Sequence, residues 1–205
     1  MGDFTLYLVR HGEILSNRED IYAGASDEEL TPPGAESAND FGREAASWNI
    51  DAVYSSPVRR AVQTAEIINS HLGKELVIDG GFGEIKMGPW EGLRIKDVAE
   101  RFPEDFKVWM TRPGDLRVRG RESLGELQTR AVESVLKIKA GRAATFKTSN
   151  SCPVLAVSHV AVIRVLFLYY NNRPLNEYKK IKVANLSAFK LVFSDTGTSF
   201  EAIEK

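Results

Sequence analysis

The sequence predicts an α/β fold: a mostly parallel central sheet covered by helices on both faces, a three-layer α/β/α sandwich. Short, nearly continuous β-prone runs recur along the chain, the pattern of strands buried on both sides. Amphipathic helical stretches alternate with them, the arrangement that builds parallel sheets. With 43 % hydrophobic and 27 % charged residues over 205 positions, the chain has globular composition and enough length for a large core.

The first run, residues 4–9 (Phe-Thr-Leu-Tyr-Leu-Val), ends abruptly in charge at Arg10. After a polar loop containing Gly24, Thr31-Pro32-Pro33-Gly34 supplies a cap and first-turn prolines for a helix reaching about Trp48. Residues 52–54 form a second strand, and Ser55-Ser56-Pro57 is expected to cap the next helix. That helix carries Ala61, Ala65, Ile68 and Leu72 at helical spacing and stops at Gly73. Residues 76–78 are a third strand, and the Gly- and Pro-rich stretch 80–92 is a loop of functional length. Helices are expected over 95–101 and 104–110, followed by an Arg-rich connector, 112–121. Ser123 and Glu126 form a capping box opening a helix to about Lys139. Residues 143–152 are polar loop, 153–157 a buried strand, 160–169 an apolar helix, and 183–192 and 199–203 two late strands. With no internal repeat or linker, residues 1–205 are expected to form one domain, with 80–122 as a cap-like elaboration over one edge.

Charge narrows the function. Lys plus Arg (27) against Asp plus Glu (28) leaves a net charge of -1, so no global field favours nucleic acid or an anionic membrane, and neither is an expected partner. Cys152 is the only cysteine, which excludes an internal disulfide and suits a small buried residue in a reducing compartment. No apolar run approaches the roughly 18 residues needed to span a bilayer. The N-terminus lacks a basic signal-peptide region, and Leu6 stands where myristoylation after Gly2 needs Ser or Thr. The expected location is cytoplasmic. A homodimer is left open.

Three strands end in cationic or hydrogen-bonding residues: Arg10-His11-Gly12, Ser55-Ser56 followed by Arg59-Arg60, and Ser158-His159. Ligand crevices in open α/β sheets lie at the carboxyl ends of strands, so these segments converge. Two histidines and two or more arginines in one cleft repel one another unless an anion joins them, and guanidinium groups suit tetrahedral oxyanions. The inferred ligand is a phosphate. The Walker-type Gly-x-x-x-x-Gly-Lys-Ser/Thr motif is absent, and three histidines (His11, His71, His159) with no paired spacing do not make a metal centre. Such a pocket therefore calls for a side-chain nucleophile, which a neutral imidazole can be.

Five ordered blocks then become recognisable. They are Leu8-Val9-Arg10-His11-Gly12-Glu13 with Asn17; Leu30-Thr31 with Gly34; Ser55-Ser56-Pro57-Val58-Arg59-Arg60-Ala61-Val62-Gln63-Thr64-Ala65; Glu84 with Gly88-Pro89-Trp90-Glu91-Gly92; and Val157-Ser158-His159 with Ile163-Arg164. Together, over about residues 4–193, the chain resembles the histidine phosphatase superfamily, the phosphoglycerate mutase-like proteins. The resemblance implies a phosphoglycerate mutase-like fold and a metal-independent phosphomonoesterase acting on a small phosphorylated metabolite without a cofactor. It makes His11 the nucleophile that becomes phosphohistidine and Glu84 the proton donor to the leaving group. Arg10, Arg60 and His159 bind the phosphoryl oxygens, with Asn17, Gly24 and Val160 also at the substrate. Physically, His11 must be neutral to attack, Glu84 must begin protonated, and His159 serves best as a cation on the phosphate.

Three positions depart from the family pattern. Val160-Ala161 replace the usual Gly-Gly after the second histidine, and Ile14 replaces a Thr or Ser. Two alternatives stay open: a cofactor-dependent phosphoglycerate mutase and a non-catalytic phospho-ligand binding protein. The cap region has Trp109-Met110-Thr111 where such mutases carry an Arg-Arg pair after a tryptophan, which favours hydrolysis. Glu91 rivals Glu84 as the acid. Arg59 is expected at the surface and His71 as a helix-end residue; Trp90 and Trp109 are expected in the core, the alternative being that they line the cleft. Arg112, Arg117, Arg119 and Arg121 are expected on a solvated face, the sharper reading being that one or two meet a second acidic group on the substrate.

Overall fold

A computed structural model describes residues 4–145 and 153–203. Cys152 and Gly2 lie outside the described residues. The elements are β1 (Phe4–Arg10), α1 (Leu15–Arg18), α2 (Pro32–Ala45), β2 (Ala52–Ser55), α3 (Arg59–Leu72), β3 (Leu76–Ile78), α4 (Ile95–Arg101), α5 (Pro103–Thr111), α6 (Leu124–Thr145), β4 (Val154–Ser158), α7 (Val160–Tyr170), β5 (Ala188–Ser194) and β6 (Gly197–Ala202). Among the described residues the strands form one sheet in the order β3-β2-β4-β1-β5-β6. The first four strands run parallel, β5 antiparallel to β1, and β6 antiparallel to β5.

Side-chain alternation explains the three layers. Leu6, Leu8, Val154 and Ala156 join one apolar cluster with Leu127, Ala131 and Val135 of α6 and Val162 and Leu166 of α7. Val9, Val53, Leu155 and Val157 join a second with Ala38 and Phe41 of α2 and Ala61, Ala65 and Ile68 of α3. Both faces are buried, which is why these strands read as continuous apolar runs. The register sets Arg10 beside Ser158 and Ser55 beside Val157, so three strand ends finish at one level. Trp90, Val98, Trp109 and Leu116, from the 80–122 segment, pack into the first cluster. Among the described residues no helix is long and apolar enough to cross a membrane.

Several element boundaries follow the local sequence signals. Thr31 Oγ1 accepts from Gly34 N at 3.1 Å, with Pro32 and Pro33 opening α2. Ser123 and Glu126 make the reciprocal capping box. Gly73 ends α3 in the left-handed region at φ 63°. Other boundaries differ. The α3 helix begins at Arg59 behind Val58 with no side-chain cap, because Ser56 Oγ accepts from Val58 N at 3.2 Å and is drawn into the site. The α6 helix runs past Lys139 to Thr145. The β5 strand starts at Ala188 rather than 183, because the chain turns first: Leu186 takes φ 56° and Ser187 Oγ accepts from Ala184 N.

Candidate active site

Backbone pairing assembles the site before side chains do. His11 N donates to Ser158 O at 3.0 Å and Ser56 N to Val157 O at 3.0 Å, which carries the sheet pattern one residue past the strand ends. His11, Arg60 and His159 are then packed together at 2 %, 1 % and 0 % exposure. The two imidazole centroids are 5.2 Å apart.

Hydrogen bonding assigns the protons. His11 Nδ1 lies 2.7 Å from Gly12 O, and a carbonyl only accepts, so Nδ1 carries the hydrogen and Nε2 the lone pair. Arg60 Nε points at that Nε2 from 3.2 Å. Arg60 Nη2 also faces His159 Nδ1 at 3.3 Å, which leaves His159 Nε2–H to donate to Ser56 Oγ at 2.7 Å. Three carbonyls fix the guanidinium from behind: Gly24 at 2.8 Å, Ala23 at 3.1 Å and Ser26 at 3.3 Å. Gly12 N donates to Thr64 Oγ1, one helical turn beyond Arg60, so α3 holds the nucleophile loop as well as the arginine.

Burial drives both imidazole pKa values well below the usual range, and the Arg60 guanidinium is the next cause for each. Arg10 lowers both further, and His11 lowers His159. Both rings are held neutral. For His11 this is the nucleophilic form. For His159, expected to be a cation on the phosphate, burial first and the Arg60 charge next favour the neutral ring in the ligand-free site.

Glu84 comes from the turn after β3, is 8 % exposed, and accepts from Ile85 N at 2.9 Å. Burial raises its pKa, and the opposing charges of Arg60, Arg10 and Arg130 do not cancel that rise. Arg10 Nη1 donates to Val183 O at 2.8 Å, while its buried Nε has no partner among the described residues. Asn17 Oδ1 accepts from Asn185 Nδ2 at 3.0 Å, and that same nitrogen donates to His11 O at 2.9 Å.

Arg10, His11, Asn17, Arg60, Glu84 and Val160 line one cavity of about 450 Å³. His159 sits behind Arg60 rather than on the wall. Gly24 also stands back: its carbonyl holds Arg60 and its N–H donates to Glu91 Oε1 at 2.9 Å, so it positions the arginine. The same bond keeps Glu91 outside the cavity. Ile14, Val160 and Ala161, the three departures, all line the cavity wall. Arg59 pairs with Glu29 and Asp27, and His71 with Asn39 Oδ1, as surface and helix-end residues. Trp90 is core. Trp109, also buried, reaches the cavity and donates from Nε1 to Tyr22 OH at 3.0 Å. Arg121 is a correction to the solvated face: it is 8 % exposed, its guanidinium 5.0 Å from the Trp90 ring centroid and 4.6 Å from that of Trp109.

Sequence reasoning missed Ser56 as the partner of His159, Thr64, and Asn185, which ties the turn before β5 to the nucleophile loop. Ser56 and Thr64 lie inside the recognised block and were readable as polar residues at a strand end and one turn into a helix. Asn185 carries no local signal, because it reaches His11 only through sheet pairing. Among the described residues no group of three or more His, Cys, Asp and Glu side chains is placed to hold a metal ion.

Residues 6–205 match the family model of the histidine phosphatase superfamily, branch 1. The chain belongs to this superfamily. Among histidine phosphatase relatives, phosphoserine phosphatase 1 of Hydrogenobacter thermophilus is 30 % identical over 162 residues, 79 % of this chain and 74 % of that protein. "Probable phosphoglycerate mutase GpmB" of Salmonella choleraesuis is 28 % identical over 191 residues, 93 % and 86 % of the two chains. The solved structure of YhfR from Bacillus stearothermophilus superposes with a TM-score of 0.86 at 27 % identity, covering 98 % of this chain and 96 % of that one.

Proposed function

We propose that this histidine phosphatase hydrolyses a phosphomonoester of a small metabolite through a phosphohistidine on His11, without a metal or cofactor. One observation carries the reading: His11 donates from Nδ1 to Gly12 O, so its lone pair is on Nε2, where it accepts from Arg60 Nε and, once that bond gives way to the phosphate, can attack phosphorus in the cavity that also holds Glu84. In the first half-reaction Nε2 attacks phosphorus, the ester P–O bond breaks, and the leaving alkoxide takes the Glu84 proton. In the second, water loses a proton to Glu84 carboxylate and attacks the phosphohistidine, returning neutral His11 and free phosphate. Arg10, Arg60 and Asn17, all on the cavity wall, hold the phosphoryl oxygens. A phosphate dianion beside Arg60 offsets the charge that keeps His159 neutral and raises its pKa toward the cationic form.

The 80–122 segment acts as the cap over this site. Within it, Arg112 is exposed and lies 3.7 Å from Asp115, and no arginine of 80–122 lines the cavity, which favours hydrolysis over phosphoryl return. The purified protein is assayed with p-nitrophenyl phosphate in EDTA, and with 3-phosphoglycerate plus 2,3-bisphosphoglycerate. Undiminished hydrolysis in the first assay and no isomerisation in the second support the proposal. Activity that vanishes with EDTA, or isomerisation faster than hydrolysis, overturns it.

A further inference from the structure

Glu84 stands at the end of a turn with three glycines, Gly80, Gly81 and Gly83, residues that leave the backbone free unless something holds it. Among the described residues its carboxylate has one hydrogen-bond partner, the N–H of Ile85 at 2.9 Å, so the backbone of 84–85 decides where the carboxyl sits. That backbone is fixed from α6. Ser134 Oγ donates to Asp79 Oδ1 at 2.8 Å, the atom that also accepts from Gly81 N, and Arg130, one helical turn before Ser134, reaches the far end of the turn. The turn lies so close to α6 that a Cβ on Gly81 would meet Ser134 Oγ.

Every N–H of the Arg130 guanidinium is used. Nη1 donates to Gly81 O and Gly83 O, both at 2.9 Å, and Nη2 to Glu84 O at 3.1 Å. The other two bonds go to one carboxylate: Nε to Glu122 Oε1 at 2.7 Å and Nη2 to Glu122 Oε2 at 2.9 Å. Glu122 is held in turn, its N–H donating to Lys86 O at 2.9 Å and its Oε2 accepting from Lys86 N at 3.2 Å. A lysine ammonium, a point charge with three donors, cannot span a carboxylate and three carbonyls. Neither Arg130 nor Glu122 lines the cavity, so any effect on the reaction passes through the turn.

We propose that Arg130 and Glu122 are positioning residues for the proton donor: their ion pair clamps the carbonyls of 81, 83 and 84 and thereby aims the Glu84 carboxyl at the leaving oxygen. The inference rests on the phosphatase reading for the role of Glu84. The Arg130 charge is also felt at the carboxyl. Burial acts first and raises the Glu84 pKa, while Arg60, the Ile85 N–H, Arg10 and Arg130 pull it down. Arg121 and Tyr178 also interact with it, and neutral His11 shares its cavity. Removing the Arg130 charge alone therefore moves the Glu84 titration to higher pH.

The test compares kcat and its pH profile on phosphoserine and glycerol 3-phosphate, whose leaving alkoxides need a proton, with p-nitrophenyl phosphate, whose leaving group does not. Arg130→Met lowers kcat on the alkyl esters by about 10- to 100-fold and on the aryl ester by about threefold or less, and its alkaline limb lies at higher pH. Arg130→Lys brings the limb back but leaves most of the loss, because it restores the charge and not the fork. In the Glu84→Gln background Arg130→Met costs the alkyl esters no more than about twofold further. Should Arg130→Met not fold, Arg130→Lys and Glu122→Gln carry the same comparison of esters. Hydrogen exchange of the Ile85 N–H reads the clamp without turnover and is expected to be about tenfold faster or more in Arg130→Lys. That result, with no ester hydrolysed by the wild type, upholds the clamp and removes the hydrolase. Equal losses on alkyl and aryl esters, a full further loss in the Glu84→Gln background, or unchanged Ile85 exchange overturns the clamp.

Discussion

The two ends of the cleft are built by opposite means. At the phosphoryl end, His11, Arg60 and His159 are buried, hold one another, and are fixed by carbonyls of residues 12, 23, 24 and 26 and by Ser56. At the alcohol end, Trp109, Tyr178, Arg164 and Lys179 come from α5, α7 and a 3₁₀ turn, with two cations outside any ion pair among the described residues. Preorganised dipoles cost no rearrangement at the moment of reaction, so the first end can serve one chemistry for many esters. The second end is free to set which ester enters.

The largest effect that separates the ends is His11→Ala. Loss of a covalent nucleophile costs about 10⁴-fold or more in kcat on every ester, measured by steady-state assay. Next is Glu84→Gln, expected to lower kcat by about 10²- to 10⁴-fold for alkyl esters and much less for p-nitrophenyl phosphate, whose leaving group needs little protonation. Its pH profile is as informative as its rate. The raised pKa of Glu84 keeps the acid protonated above the ordinary carboxylate range, so wild-type activity falls as pH climbs through that pKa, and the variant lacks this alkaline fall. Arg60→Lys keeps a charge but cannot reach both imidazoles and three carbonyls at once; kcat falls by about 10²-fold, again without regard to the leaving group.

Stability effects come after these. A Cβ on Gly34 meets the Glu13 carbonyl and amide, and Gly34→Ala is expected to cost about 1–3 kcal/mol, read as a Tm lowered by several degrees. Both imidazoles have folded pKa values below the unfolded one, so the unfolded chain binds protons first and stability is lost as pH falls below about 6.5. Glu84 works with the opposite sign, its contribution being lost as pH rises through its raised value. Urea titrations at several pH values show both slopes, and His11→Asn flattens the acidic one. The smallest effect belongs to Arg117→Ala. Arg117 is exposed and donates to the carbonyls of Gly114 and Leu116, so kcat/KM for carboxylated and neutral esters alike changes by less than about twofold.

The same contrast explains what was legible in the sequence. Strands buried on both faces, caps at Thr31 and Ser123, and cationic residues at three strand ends are local patterns, and they located the sheet, its helices and the His11–Arg60–His159 cluster. The alcohol end was invisible. Trp109, Lys179 and Arg164 meet only after α5, α7 and the 175–180 turn pack, and nothing nearby in sequence marks them as partners. Arg121 misled for a related reason: a run of four arginines reads as a solvated face, yet stacking on Trp90 and Trp109 buries one of them. The neutral state of His159 was likewise unreadable, because it depends on burial and on where the Arg60 guanidinium lies between the rings.

The central claim is that His11 Nε2 forms a bond to phosphorus. It is tested most directly by mixing enzyme and excess substrate in EDTA, stopping the reaction in alkali after milliseconds, and locating any phosphate on the protein by peptide mass spectrometry. The account predicts an acid-labile phosphate on His11 that appears and decays at least as fast as turnover and is absent from His11→Ala. Rapid turnover with no phosphorylated protein, or phosphate on another side chain, would contradict it.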